Sequence, residues 1–217
     1  MHKKILLIAA TELEIGPLNS LLKEQGTVDV VVAGIGGVCT AYGLAKQLTR
    51  QRYDLVLQGG IGGSFTTQYA PGAVAVVSSD CFGDLGVVEA GQRRSVFDLQ
   101  LAQADAPPFT GGRLLNPHHG LMALSGLSRA MGVTVNEVTT DRDTILHFKN
   151  DLGAEIESME GAALHYVALQ ESVPFLQVRA VSNYVGERDK TKWALKEAVF
   201  KLNETLGQLI SVLMQSA

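Results

Sequence analysis

Cysteine is scarce in this chain: Cys39 and Cys81 are the two in 217 residues, far apart and without paired spacing. A disulfide framework or a cysteine-based zinc site is therefore not expected, which fits a reducing compartment. No apolar run approaches the ~18 residues that a membrane helix needs. The early run Ile5–Ala10 follows Lys3-Lys4, but it is shorter than the apolar part of a secretion signal, and Glu12 and Glu14 come at once. It reads as a buried first strand of a soluble, cytoplasmic protein. Charged residues make up 18%, with a formal net charge of −4, so neither nucleic acid nor an anionic membrane is an expected partner. No Gly-Lys-Ser/Thr and no His-Glu-x-x-His occurs, and His118-His119 reads as a surface turn after Pro117. There is no internal repeat and no low-complexity tract.

What is present is an ordinary globular composition, 46% hydrophobic, and length enough for a real core. Residues 1–217 are expected to form a single domain. Strands are expected at Lys4–Ala10, Val28–Ala33, Asp54–Leu57, Ala73–Ser78, Val133–Thr139, Ala154–Ile156 and Phe175–Val181. Helical spacing marks Ala41–Leu48, Leu121–Met131, Glu160–Gln170 and a long C-terminal helix over Lys192–Met214. Residues 81–86 read as a turn-rich loop in which Asp84 serves the turn or points at a site. Gln92–Gly112 reads as a surface excursion, with Arg93-Arg94 a solvated pair, and Thr140–Asp143 as a loop. The pattern is that of an α/β fold with a mixed, mostly parallel central sheet flanked by helices.

Two strands end in glycine: Gly34–Gly37 after the second, and Gln58–Gly63 after the third. Neither is a dinucleotide fingerprint, because the third glycine of G-x-G-x-x-G would fall on Cys39 or on Phe65. These glycines allow close backbone approach and free N–H groups for a ligand, or they are plain tight turns. Gly60 is the candidate substrate contact among them. Just past the first strand, Thr11-x-x-Glu14 matches a capping box, which is one use for Glu14.

The densest cluster of polar signals lies between Leu152 and Trp193. The run Phe175–Val181 is nearly all apolar, as in a strand buried on both faces, and it breaks at Ser182-Asn183. Ser158-Met159-Glu160 follows the preceding strand. Both clusters are expected at one edge of a parallel sheet, where small-molecule sites form.

Here the chain resembles a family. Ser158-Met159-Glu160-Gly161-Ala162-Ala163, followed by Val173–Asn183, is similar to the C-terminal core of the purine nucleoside phosphorylase and nucleosidase superfamily. Asn183, where the methylthioadenosine/S-adenosylhomocysteine nucleosidases carry Asp, with Gly186–Asp189 and Trp193 beyond it, resembles the futalosine hydrolases. The resemblance implies that Met159 and Glu160 hold the ribose, that Asn183 faces the purine and that Glu14 activates water. It implies no metal or organic cofactor, a nucleoside substrate, and a homo-oligomer whose neighbours complete the 5′ pocket. The position matching a phosphate-holding Arg of the phosphorylases is Leu57, which favours water as acceptor. Ser158 stands where the nucleosidases have a further Glu.

The residues suit that chemistry. A carboxylate at Glu160 can accept both ribose hydroxyls and stabilise a nearby cation. The Asn183 amide can face N7 and a 6-oxo group together. Ser182 and Arg179 are candidates to orient these groups, Arg179 equally a structural residue. The expected activity is hydrolysis of futalosine to hypoxanthine and dehypoxanthine futalosine, on the futalosine route to menaquinone. The alternatives are a methylthioadenosine/S-adenosylhomocysteine nucleosidase, a purine nucleoside phosphorylase, or a nucleoside-binding protein without catalysis. Arg142, Arg188 and Lys190 are unranked candidates to meet a 5′ carboxylate.

Overall fold

The first strand, β1 (Ile5–Ala9), shows how the layers arise. Side chains alternate across a strand, and here both faces are apolar. Ile5, Leu7 and Ala9 enter one core cluster, while Leu6 and Ile8 enter another on the opposite face. The structure, a computed structural model, describes residues 3–25 and 28–215.

Helix α1 (Glu12–Gln25) leads to β2 (Val28–Val32), α2 (Gly37–Arg50) and β3 (Leu55–Ser64). Then come β4 (Val74–Asp80), a hairpin of β5 (Gly86–Glu89) and β6 (Gln92–Ser95), and β7 (Leu114–Leu115). The short α3 (His119–Leu124), β8 (Ser128–Thr134), α4 (Arg142–Asn150) and β9 (Ile156–Ser158) follow. The chain closes with α5 (Gly161–Gln170), β10 (Phe175–Tyr184) and α6 (Leu195–Gln215). None of the described helices is long and apolar enough to cross a membrane.

The main sheet is mixed and mostly parallel, as expected. β1 lies parallel to β2 and β3, and β3 parallel to β10. β10 and β4 are antiparallel, β4–β8 and β8–β9 parallel, and β9–β3 antiparallel. The path β3-β10-β4-β8-β9 therefore returns to β3, closing into a small barrel with β1 and β2 as an extension. One face is covered by α1 and α6: Ile15 and Leu18 meet Leu202, Leu206, Leu209 and Leu213 over β1, β3 and β10. On the other face Leu44 of α2 and Leu164 and Ala168 of α5 pack on Val56 and Phe175.

Several elements differ from expectation. The stretch Gln58–Gly63 is not a turn but the continuation of β3. Neighbours approach so closely that only glycine fits: a Cβ on Gly59 would stand 2.5 Å from Leu206, and one on Gly62 would stand 2.7 Å from the Glu157 carbonyl. The helix expected over Leu121–Met131 stops at Leu124, because Gly126 turns the chain at φ +66° and β8 begins two residues later. That strand displaces the one expected at Val133–Thr139. The strand expected at Ala154–Ile156 runs instead over Ile156–Ser158. The loop expected over Thr140–Asp143 ends at Asp141: Arg142–Asn150 is helix α4, with Asp141 accepting from Thr144 N–H at its start. The excursion Gln92–Gly112 holds β6 and is anchored on α5 by the rings of Phe109 and Tyr166, 6.0 Å apart.

Candidate active site

The carboxyl ends of β1, β3, β9 and β10 converge on one cavity of about 250 Å³. Glu14, Met159, Glu160 and Asn183 all line it, with Ser182, Trp193 and Arg188. The expected convergence of the two polar clusters is therefore present. Gly60 lies behind the cavity wall rather than in it: the position of its missing Cβ is 2.2 Å from Arg179 Nη1 and 3.2 Å from Glu14 Oε1. Its bareness lets those two side chains come close; its contribution is space.

Glu14 is buried and caps its own helix. Its Oε2 accepts from the backbone N–H and the hydroxyl of Thr11, both at 2.9 Å. Oε1 accepts from the N–H of Ile61 at 3.1 Å. The capping geometry read from sequence is present, and the same carboxylate faces the cavity. Glu160 begins α5, its Oε1 accepting from Gly36 N–H at 3.1 Å and its Oε2 meeting Arg179 at 3.3 Å. Gly36 adopts φ +93°, the left-handed region that glycine tolerates. The N–H groups expected to be free for a ligand are thus occupied by the site's own carboxylates.

Arg179 is fully buried, and its second arm donates to Gln58 Oε1 at 2.8 Å. A guanidinium in an apolar strand requires such partners. The amide of Asn183 is held on both sides: Oδ1 accepts from Ser182 Oγ at 2.7 Å, and Nδ2 donates to Tyr184 O at 2.8 Å. A bulge between Val181 and Asn183 re-aims this end of β10. At the start of α5, Ser158 Oγ accepts from Gly161 N–H and Thr134 Oγ1 from Ala162 N–H. Ser158 is thus a helix cap where the resembling nucleosidases have a carboxylate.

Behind the site lies a buried polar group that sequence reading missed. Asp80 Oδ1 accepts from Thr134 Oγ1 at 3.0 Å and from Cys81 N–H at 2.8 Å. Burial pushes its carboxyl up to about 6. His165, 0% exposed, donates from Nδ1 to Leu114 O at 2.9 Å, and burial holds its imidazole down at about 4. Asp84 does not line this cavity; instead of serving its own turn it ties down the loop after β8, accepting from Asn136 N–H at 2.6 Å. A second missed residue, Glu157, lines the cavity itself. Its signal was the alternation Glu155, Glu157 in a strand running straight into Met159-Glu160. Among the described residues no group of three or more His, Cys, Asp or Glu is placed to hold a metal ion.

The family model of the Phosphorylase superfamily matches residues 8–215. The chain belongs to that superfamily. Within it, the chain is 34% identical over 191 residues to futalosine hydrolase of Streptomyces coelicolor, covering 85% of this chain and 79% of the relative. It is 30% identical to futalosine hydrolase of Thermus thermophilus, covering 88% and 84%. The 5'-methylthioadenosine/S-adenosylhomocysteine nucleosidase of Colwellia psychrerythraea is 28% identical, covering 75% and 71%. The fold of this superfamily member is shared by solved structures. Helicobacter pylori 5'-methylthioadenosine/S-adenosylhomocysteine nucleosidase has a TM-score of 0.81 at 16% identity over 97% of this chain and 99% of that one. Futalosine hydrolase of the same organism has a TM-score of 0.79 at 15% identity over 100% and 99%. The expectations of fold class and family are borne out.

Proposed function

We propose that this protein is a futalosine hydrolase, cleaving the N-glycosidic bond to release hypoxanthine and dehypoxanthine futalosine on a route to menaquinone. The observation that carries the reading is the meeting of Glu14, Glu160 and Asn183 on one cavity, in a chain whose futalosine hydrolase relatives reach 34% identity. The methylthioadenosine/S-adenosylhomocysteine nucleosidase alternative fits less well, with lower identity and Asn183 in place of Asp.

In the proposed reaction Glu160, locked by Arg179, accepts the 2′- and 3′-hydroxyls and stabilises the positive charge that grows on the ribose. Met159 packs beneath the sugar. Water attacks C1′ as Glu14 takes its proton, and the C1′–N9 electron pair leaves with the base. Asn183 hydrogen-bonds the departing hypoxanthine anion, which takes its proton from solvent, because an amide has none to give at this pH. Glu14 can take up that proton on Oε1, which accepts only from Ile61 N–H, while Oε2 stays bound to Thr11.

Arg179, the buried cation nearest the ribose end, is already tied to Glu160 and Gln58, and Leu57 is buried in the core. Neither offers a phosphate site. Two further parts of the reading concern the setting. Ile35, which lines the cavity, is exposed, as are Val38 and Tyr42 of the helix that follows it, an apolar face suited to a second copy of the chain. Cys39 and Cys81 are unpaired, in keeping with a cytoplasmic enzyme.

Base release from futalosine with and without phosphate tests the reading. Hypoxanthine should appear at equal rates in both. Strict phosphate dependence with a phosphorylated sugar product would establish a phosphorylase. Tight binding without base release would establish a binding protein.

A further inference from the structure

We propose that Glu157 reads the purine from the side opposite Asn183, accepting the N1–H of a 6-oxopurine. The inference rests on the proposed cleavage of a hypoxanthine nucleoside and assigns to that site a residue that neither the sequence motif nor the relatives' names point to.

The sheet register carries the argument. Gly63 of β3 is paired with Glu157 of β9 on one side and with Asn183 of β10 on the other. Neighbouring strands lie ~4.8 Å apart, so the two flanking Cα atoms are on the order of 10 Å apart. Directly paired residues share a face of the sheet. The position of Gly63's missing Cβ lies 3.0 Å from Val185 Cγ2 and 3.6 Å from Asn183 Nδ2. Two hydrogen-bonding side chains thus flank a bare backbone position, and all three residues line the cavity. The result is a slot with a polar group at each side and, over Gly63, the apolar Val185 as its floor, the shape a flat base requires.

Glu157 is incompletely used by the protein. Oε1 accepts from Thr139 N–H at 3.1 Å, while Oε2 has no partner, and the residue is 5% exposed. Leaving a buried carboxylate oxygen unpaired is costly. Burial, with Asp84 nearby adding to it, raises the carboxyl's proton affinity. A donor brought by the ligand would remove that cost. Of the two bases at issue, hypoxanthine presents an N–H at N1, whereas adenine presents a bare acceptor lone pair there. The N1–H of hypoxanthine, by pairing Oε2, favours the ionised form of Glu157, and that form repels the N1 lone pair of adenine. Asn183 faces the N7 and 6-oxo edge, so the two residues read different edges of one ring.

The test compares kcat/KM on two nucleosides that share one 5′ group, one 6-oxo and one 6-amino, for the wild type, Glu157→Ala and Glu157→Gln. Losing a hydrogen bond to a charged group costs about 10- to 10²-fold. Glu157→Ala should fall by that factor on the 6-oxo substrate and little on the 6-amino one. Glu157→Gln keeps an N1 acceptor and should recover part of the loss. Thermal melts of each variant separate this from a loosened loop at Thr139, which would lower both substrates together. Equal losses on both substrates, or an unchanged preference, overturn the role of Glu157 while leaving the hydrolase reading intact. A wild type that prefers the 6-amino nucleoside, or cleaves neither, overturns the reading and this inference with it.

Discussion

Glu160 and Arg179 form a buried ion pair at 3.3 Å, their side chains 7% and 1% exposed, one at the start of α5 and the other in the middle of β10. Held between Gly36 N–H and this guanidinium, the Glu160 carboxylate cannot swing away from the cavity. The guanidinium in turn passes over Gly60, whose lack of a side chain is the space it fills.

Gly60→Ala should therefore disable the site from behind its wall, crowding Arg179 first and Glu14 as well. Its methyl group would collide with Arg179 Nη1, which Glu160 and Gln58 hold in place. Overpacking of this kind costs about 1–3 kcal/mol, readable as a lower urea midpoint. Substrate affinity should fall as Glu160 loses its anchor. A variant with wild-type stability and KM would contradict the crowding argument.

Glu14→Gln separates two uses of one carboxylate. The loss of cap strength at Thr11 predicts a stability decrease of about 1 kcal/mol. The loss of a general base predicts a ~10²–10⁴-fold drop in turnover with substrate binding retained. Both are expected together. Melting and single-turnover measurements on the same preparation decide; a lowered melt with turnover intact would leave Glu14 a helix cap only.

Asn183→Asp should change the base preferred. A carboxylate repels the 6-oxo group and attracts a 6-amino group, and sites built on hydrogen bonds reject mismatched partners by as much as ~10⁴–10⁵. Futalosine hydrolysis should fall and the ratio of 6-oxo to 6-amino kcat/KM should move toward the amino analogue. If the ratio stays where it was, Asn183 does not read the base.

Asp80 and His165 give opposing pH dependences of stability. Asp80 titrates at about 6 in the fold against 3.8 ordinarily, so between those values the folded state holds the extra proton. Its contribution is fully present below pH 3.8 and is lost as pH rises through about 6. His165 titrates at about 4 against 6.5, so the unfolded state holds the extra proton. Its contribution is present above pH 6.5 and is lost as pH falls through about 4. Each amounts to at most about 3 kcal/mol, and over pH 4 to 6 they nearly cancel. His165→Phe should unmask stability that grows as pH drops across that range, and Asp80→Asn stability that shrinks. Denaturant melts at several pH values measure this, and parallel curves for both variants and the wild type would refute it.

Much of this protein was determined by the sequence itself. The two-faced apolar alternation of Ile5–Ala9 requires a strand with helices on either side. The apolar run from Phe175 requires a buried strand, and the 3.6-residue spacing of Leu202, Leu206, Leu209 and Leu213 requires a helix against the sheet. Glu14, Met159, Glu160 and Asn183 stand at or just past the ends of the apolar runs, which marks them as site candidates, but β9 runs antiparallel to β3, so the sheet's pairing brings Met159 and Glu160 to the others. These signals are legible because they are local and periodic.

Tertiary structure decided the rest. Glycine permits strand and turn alike, so Gln58–Gly63 became strand only because Leu206, Arg179 and the Glu157 backbone crowd against it. The residues from Leu121 to Thr134 suit a helix or a strand, and pairing with β4 and β9 chose strand from Ser128 on. Arg179 shows a charge within an apolar run, but its partner lies nineteen positions away along the chain, brought near by the fold. Glu157 and Asn183 share a slot only through Gly63, and no local signal records that register. Contacts between distant segments depend on how strands align, and that alignment is settled by the packing of the whole sheet.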